Sequence, residues 1–255
     1  MYFWRIVSPG VQEQAIVYGH HHYLISLAAV ALAILAAFVA LPASDRFNLA
    51  HGNSRYLWLI AGGMAWGAGI WAMHFTSMLA YNLPFPVQYD TLLTVCSGFF
   101  ALLTGLGLMW LLPLIRQQRR CLFLAALVLS AGTLAMHFVG MEAINGPASL
   151  FYLPGWFAVS VLVAFGVSWI GLFARVKLPA SMPTSPSLAT ALGSAALGIG
   201  TSAIHFSASA ASYFVPRDDA LPMVNSLEPM VLILGILAVT ILLIGLLAMG
   251  ILVDR

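Results

Sequence analysis

The sequence predicts an all-α membrane protein of seven transmembrane helices: three parallel two-helix repeats plus a seventh helix. Three observations predict it. The chain is 62% hydrophobic and only 7% charged, whereas an ordinary soluble domain carries roughly 25% charged residues, so there is too little polar surface to coat a globule. Seven apolar runs each reach the length of about 20 residues that crosses a bilayer. Three short segments, Met73-His74-Phe75-Thr76-Ser77-Met78, Met136-His137-Phe138-Val139-Gly140-Met141 and Ile204-His205-Phe206-Ser207-Ala208-Ser209, close every second run.

The runs lie at about 17–41, 56–80, 89–113, 121–143, 152–175, 188–212 and 229–252. Turn residues separate them: Pro42, Pro84 with Pro86, Pro113, Pro147 with Pro154, Pro179 to Pro186, and Pro216 to Pro229. The opening Met1 to Arg5, followed by Ser8-Pro9-Gly10, lacks a signal-peptide layout, so the first run is expected to stay as a span. Residues 1–252 then form one membrane domain, with repeats at about 17–80, 89–143 and 152–212, and 253–255 open a cytoplasmic linker.

Loop charges set the direction. Eight of the ten basic residues (Arg46, Arg55, Arg116, Arg119, Arg120, Arg175, Lys177 and Arg255) follow runs 1, 3, 5 or 7, leaving Arg5 and Arg217 on the other side with Glu13, Asp90, Glu142, Asp218, Asp219 and Glu228. The positive-inside rule puts the N-terminus outside and the C-terminus in the cytoplasm. His51 falls in a basic cytoplasmic loop, where solvation explains it. The other six histidines, His20, His21, His22, His74, His137 and His205, gather at the outer level.

Several function classes drop out. Cys96 and Cys121 form no disulfide framework and no CxxC pair. The net charge of +2 gives no nucleic-acid footprint, and the chain shows no phosphate-binding glycine loop, hydrolytic triad or carboxylate pair on a helix face. The visible domain is therefore not read as an enzyme.

The repeat extends beyond the histidines. Shifts of 63 and 131 residues superimpose Gly69, Gly132 and Gly200, as well as Ala72, Ala135 and Ala203, and Ala80, Ala143 and Ala211. Parallel repeats of this kind are related by an axis along the membrane normal. Small-residue pairs, Gly63 with Gly67 and Ser194 with Gly198, are expected to let runs 2, 4 and 6 approach one another at that axis.

Ionisable residues in a membrane are costly and mark function. Residues i and i+4 share a helix face, so His74 pairs with Met78 and His137 with Met141, while His205 has Ser209 there. Imidazole with thioether favours copper, above all Cu(I). The expected ligands are His74, Met78, His137, Met141 and His205, with Met73, Met136, His20, His21 and His22 as auxiliaries and Asp90 and Glu142 as carboxylates orienting the imidazoles. Met223 and Met230 are near in sequence but are not favoured as replacements for the third copy's missing methionines. Haem held by two histidines and a metal or small-molecule transporter are the competing readings.

The three segments resemble the MHYT family of bacterial membrane sensor domains, named for Met-His-Tyr-Thr motifs in alternate helices. Met73-His74-Phe75-Thr76 matches with Phe for Tyr, Met136-His137-Phe138-Val139 less fully, and Ile204-His205-Phe206-Ser207 keeps the histidine and the aromatic. The resemblance covers essentially the whole chain. It implies copper held by Met and His near the outer face, and sensing of O₂, CO or NO. It also implies a cytoplasmic output in cis, either cyclic-di-GMP turnover or a histidine kinase, with a homodimer possible in principle. Stopping at Val253-Asp254-Arg255, the chain looks like the sensory half of such a protein. All three aromatics are Phe, so no phenol stands at those positions to donate to a bound ligand.

Overall fold

The computed structural model describes residues 6, 16–115, 118–181, 186–217 and 225–253. Arg5, Glu13, Arg116, Asp218, Asp219, Met223, Asp254 and Arg255 lie outside the described residues. Seven helices are long and apolar enough to cross a membrane: α1 Tyr23–Leu49, α2 Asn53–Leu79, α3 Thr91–Ile115, α4 Arg119–Glu142, α5 Pro154–Ser181, α6 Pro186–Ser209 and α7 Pro229–Val253. The chain is thus a multi-pass membrane protein.

Two expected breaks are not breaks: Pro42 lies inside α1 and Pro113 inside α3. The stretch from Pro179 to Pro186 does hold the boundary between α5 and α6, although α5 runs past Pro179 to Ser181. Each proline removes one backbone donor near a helix's inner end, a loss that membrane helices absorb through neighbours and side chains. The first helix also starts later than expected, because His20–His21 form a strand, β1.

Short strands at the outer end are the feature that hydrophobic periodicity did not reveal. They are β1, β2 (Tyr81–Asn82), β3 (Gln88–Asp90), β4 (Ile144–Asn145), β5 (Ala148–Tyr152), β6 (Ser212–Pro216) and β7 (Ser226–Leu227). β1 pairs with β2, β3 with β4 and β5 with β6, all antiparallel. Each repeat is therefore a strand–helix–helix–strand unit whose own ends join. His21 faces Tyr81, Tyr89 faces Ile144, and Tyr152 faces Ser212. One further bond repeats in all three units: the backbone N–H of His22, Asp90 and Leu153 donates to the carbonyl of Ala80, Ala143 and Ala211 at 2.7–2.8 Å. The matching alanines seen in the sequence thus mark where each unit closes. β7 and α7 resemble the first half of a fourth unit, and β7 pairs with β3.

The units form a ring. Within units, α1 packs on α2, α3 on α4 and α5 on α6; between units, α2 packs on α3, α4 on α5 and α6 on α1. α2, α4 and α6 also touch one another, and α7 packs outside on α1 and α2. The small residues act at the unit boundaries rather than at the axis, which corrects the expectation. A Cβ on Gly67 would lie 2.7 Å from the Ala101 carbonyl oxygen in α3, and one on Gly198 would lie 2.6 Å from the Ile34 backbone in α1. The side-chain-free surface there is what lets neighbouring units press backbone to backbone.

Aromatic rings complete the seams at the outer end. Phe75 of the first unit packs on Tyr89 of the second at 5.9 Å between centroids. Phe138 of the second packs on Tyr152 of the third at 5.2 Å, and Phe206 of the third on His21 of the first at 5.4 Å. His21, Tyr89 and Tyr152 occupy equivalent places, so the motif's aromatic residue is what joins each unit to the next.

Candidate metal centre

His74 and His137 lie five residues from the ends of α2 and α4, His205 four from the end of α6, and the ring of units brings them to one point. All three are buried. His74 Nδ1 lies 3.0 Å from His205 Nδ1, and His137 Nδ1 lies 3.2 Å from the same atom. The three rings stand edge to face with centroids 5.0–5.1 Å apart. Among the described residues this is the one group of three or more His, Cys, Asp or Glu side chains spaced to share an ion, with one nitrogen from each within 4.8 Å of the others.

The donor set fits a single ion. Nitrogens bound about 2.0 Å from one metal stand roughly 3.3–3.5 Å apart in tetrahedral or trigonal geometry, close to the 3.0 and 3.2 Å that separate His205 Nδ1 from those of His74 and His137. Without an ion the cluster is poorly satisfied. A neutral imidazole has one N–H and one acceptor nitrogen, three Nδ1 atoms face one another, and the buried Nε2 atoms of His74 and His137 have no hydrogen-bond partner. If the three Nδ1 lone pairs are used on an ion, each Nε2 carries the proton. For His205 a matching acceptor is present, since Ser209 Oγ lies 3.4 Å from its Nε2. The residue that breaks the methionine pattern in the third copy therefore meets that copy's own imidazole. Gly140 forms part of the cradle, because a Cβ there would collide with His74 Nε2.

The other expected residues fall into two groups. Met78 and Met141, one turn beyond their histidines, are buried in the apolar cluster of the outer end with Phe75, Phe138 and Tyr152. Met73 packs on Ala29 and Ala33 of α1, and Met136 belongs to the central core. Both are packing residues here. His20 and His22 are exposed. Only His21 turns inward, its ring centroid 6.3 Å from that of His205 and 4.8 Å from that of Tyr81. Burial pushes its imidazole below the ordinary range. Met230 is exposed at the start of α7.

Asp90 and Glu142 do not orient the imidazoles. Asp90 Oδ1 accepts the Leu93 N–H at 2.8 Å, capping α3. Glu142 stands beside Tyr152, where burial and that carboxylate together raise the phenol well above its usual range. Both acids lie at the expected membrane level, but their helix ends turn them toward strands instead of the axis.

A pair that sequence reasoning passed over lies at the opposite end. Arg175, counted there as a loop charge, is inside α5, and its Nη2 donates to Asp45 Oδ2 of α1 at 2.6 Å. Asp45 is the one acid among the inner connections of runs 1 to 6, and that isolation among basic residues was the available signal.

Comparison with known proteins agrees with this architecture. A family model, MHYT, described as a bacterial signalling protein N-terminal repeat, matches residues 67–126 and again 131–197. The bifunctional diguanylate cyclase/cyclic di-GMP phosphodiesterase MucR of Pseudomonas aeruginosa is 38% identical over 147 residues, 58% of this chain and 22% of that protein. The cyclic di-GMP phosphodiesterase NbdA of the same organism is 32% identical over 221 residues, 85% of this chain and 28% of that protein. The signaling protein YkoW of Bacillus subtilis is 28% identical over 188 residues, 72% of this chain and 23% of that protein. The match thus spans about a quarter of each relative's length. No solved structure matches. The two-helix period that the family model finds twice is the period that the strand pairs close three times, and the chain belongs to the MHYT family of membrane signalling domains.

Proposed function

We propose that this chain is a signal-input domain that holds copper at His74, His137 and His205 and responds to a diatomic gas (O₂, NO or CO) or to redox state. The observation that supports it most is the convergence of three Nδ1 atoms from three separate units on one buried point. Met78 and Met141 lie one turn from two of these histidines; if either thioether joins the set, it favours Cu(I) over zinc or a hard cation. When bound, the ion would supply an open coordination position for a small apolar ligand arriving through the membrane. The protein's part is to hold three neutral imidazoles with their lone pairs inward, and to exclude water by burying them.

A single ion suits the site better than haem. Two imidazoles across an iron would stand about 4 Å apart with a macrocycle between them, and a 3.0 Å approach leaves no slot for one. The output is proposed from the relatives, two of which are named for cyclic di-GMP turnover. α7, the last span, would carry the change to such a domain in the cytoplasm. A ligand moves that equilibrium only by binding two helix arrangements unequally.

The decisive experiment is elemental analysis of anaerobically purified protein beside a variant with His74, His137 and His205 all changed to alanine. Near-stoichiometric copper in the parent and near-complete loss in the variant is the expected result. Equal copper in both ends the proposal.

A further inference from the structure

The inner end of the bundle carries a second assembly of equivalent positions. The shifts that relate His21, Tyr89 and Tyr152 also relate Ser44, Leu112 and Arg175, and relate Asp45, Pro113 and Val176. All six line one cavity of about 20 Å³ between α1, α3 and α5, joined by Asn48. That is room for one water. The cavity therefore sits where the pseudo-threefold axis leaves the bundle, opposite the histidines. Here, unlike at the outer end, the three units contribute different chemistry: a hydroxyl and a carboxylate from the first, apolar groups from the second, a guanidinium from the third.

The ion pair crosses this cavity between the first and third units. Its two halves are held unequally: the Arg175 side chain is 6% exposed, the Asp45 side chain 44%. Arg175 is fixed inside the bundle, its buried Nε without a hydrogen-bond partner, while the carboxylate can regain water at little cost. Arg46 lies over the Trp58 ring and Arg55 over the Phe47 ring, both within the first unit, and Lys177 lies over Phe173 of its own helix. The helices are also weakened here. Pro42 precedes Asp45 by one turn, Pro113 lines the cavity, and Pro179 has no N–H to give the Arg175 carbonyl.

We propose that Asp45 and Arg175 form a releasable latch at the cytoplasmic end of the axis, and that when Asp45 lets go, water enters the axial cavity and the inner ends of α1 and α5 separate. The latch stands on the inner geometry alone and does not require a metal at the outer site. A carboxylate partly in water and a guanidinium out of it are suited to switching, since only one partner has to move.

The test is thiol accessibility in inside-out vesicles, using the full chain with Cys96 and Cys121 changed to serine. One reporter is Leu112→Cys, in the cavity wall. A second is Ala126→Cys, in the α4 core away from it. Asp45→Asn keeps the size of the side chain and removes its charge. Maleimide labelling at position 112 should rise at least tenfold in Asp45→Asn while position 126 stays protected, and Asp45→Glu should restore protection at 112. Unchanged labelling at 112 overturns the latch by showing the pair idle. Simultaneous loss of protection at both positions overturns it too, by making the pair a general requirement of the fold.

Discussion

The two ends of one axis use repetition in opposite ways. At the outer end, equivalent positions hold the same residue: three histidines, each an uncharged donor, share a point without repelling one another. At the inner end, equivalent positions hold Ser44, Leu112 and Arg175, or Asp45, Pro113 and Val176. Three copies of arginine or aspartate there would bury like charges, which is prohibitive in low dielectric, so a charged contact demands that the repeat diverge. The outer end is also sewn shut by a strand pair within each unit and an aromatic seam between units, while the inner end carries the Arg175–Asp45 ion pair and proline-weakened helices. An outer end closed by strands and, among the described residues, an inner end without them follow from the same three units.

The sharpest way to break the contrast is to overfill the outer site. Gly140→Val places a branched side chain where even a Cβ collides with His74 Nε2, so the imidazole must leave the trio. Copper retention should fall at least roughly tenfold, the scale seen when groups orienting a ligand are lost. Gly166→Val is the matched control: a Cβ there meets nothing within 4 Å, and metal content should stay at the parent level. Equal metal in both variants would mean that the trio does not depend on its cradle.

The seams come next. Phe138 is 2% exposed and packs on both Tyr152 and Phe157, at 5.2 and 4.9 Å between centroids. Phe138→Ala opens a void between the second and third units and should cost about 3 kcal/mol, read as a lowered midpoint of thermal unfolding in detergent. Phe99→Ala, on a ring that is 59% exposed at the lipid-facing surface, should change it little. Comparable losses would show that the outer seams are no more important than surface packing.

Much of this was legible in the sequence, and the illegible part has physical causes. The seven spans, the direction of packing and the three convergent histidines follow from hydrophobic run length and a 63- and 131-residue self-match, because membrane helices must satisfy their own backbones. Strands of two to five residues leave no periodic trace, so β1 to β7 were invisible, although Ala80, Ala143 and Ala211 marked their junctions. Asp90 and Glu142 were at the right depth, but which way a helix-end carboxylate turns depends on the strand that follows it. Gly67 and Gly198 were recognised as contact residues and assigned the wrong neighbour, since small-residue spacing says that a helix packs closely without saying against which partner. Two prolines misled in a similar manner: Pro42 and Pro113 read as breaks, yet each lies within a helix near its inner end.

The smallest effect tests the strand layer over the histidines. Gly19 N–H donates to the Tyr81 hydroxyl at 3.0 Å, tying the approach to β1 onto β2. Burial raises the Tyr81 phenol above its ordinary value, partly offset by that hydrogen bond. The sign follows directly. A phenol whose folded-state value is raised contributes stability that is fully present below the unfolded value of about 10. That contribution is lost as pH rises through the folded-state value, because the unfolded chain releases the proton more readily. Tyr89 and Tyr152 are shifted the same way by burial, so alkaline loss of stability is a property of the whole outer layer. Tyr81→Phe should lower stability by about 1 kcal/mol at neutral pH, the worth of one hydrogen bond, and should make the decline above pH 10 shallower without abolishing it. Thermal unfolding midpoints of parent and variant between pH 8 and pH 11 would show two curves that converge as the medium becomes alkaline. Parallel curves would mean that Tyr81 takes no part in the closure.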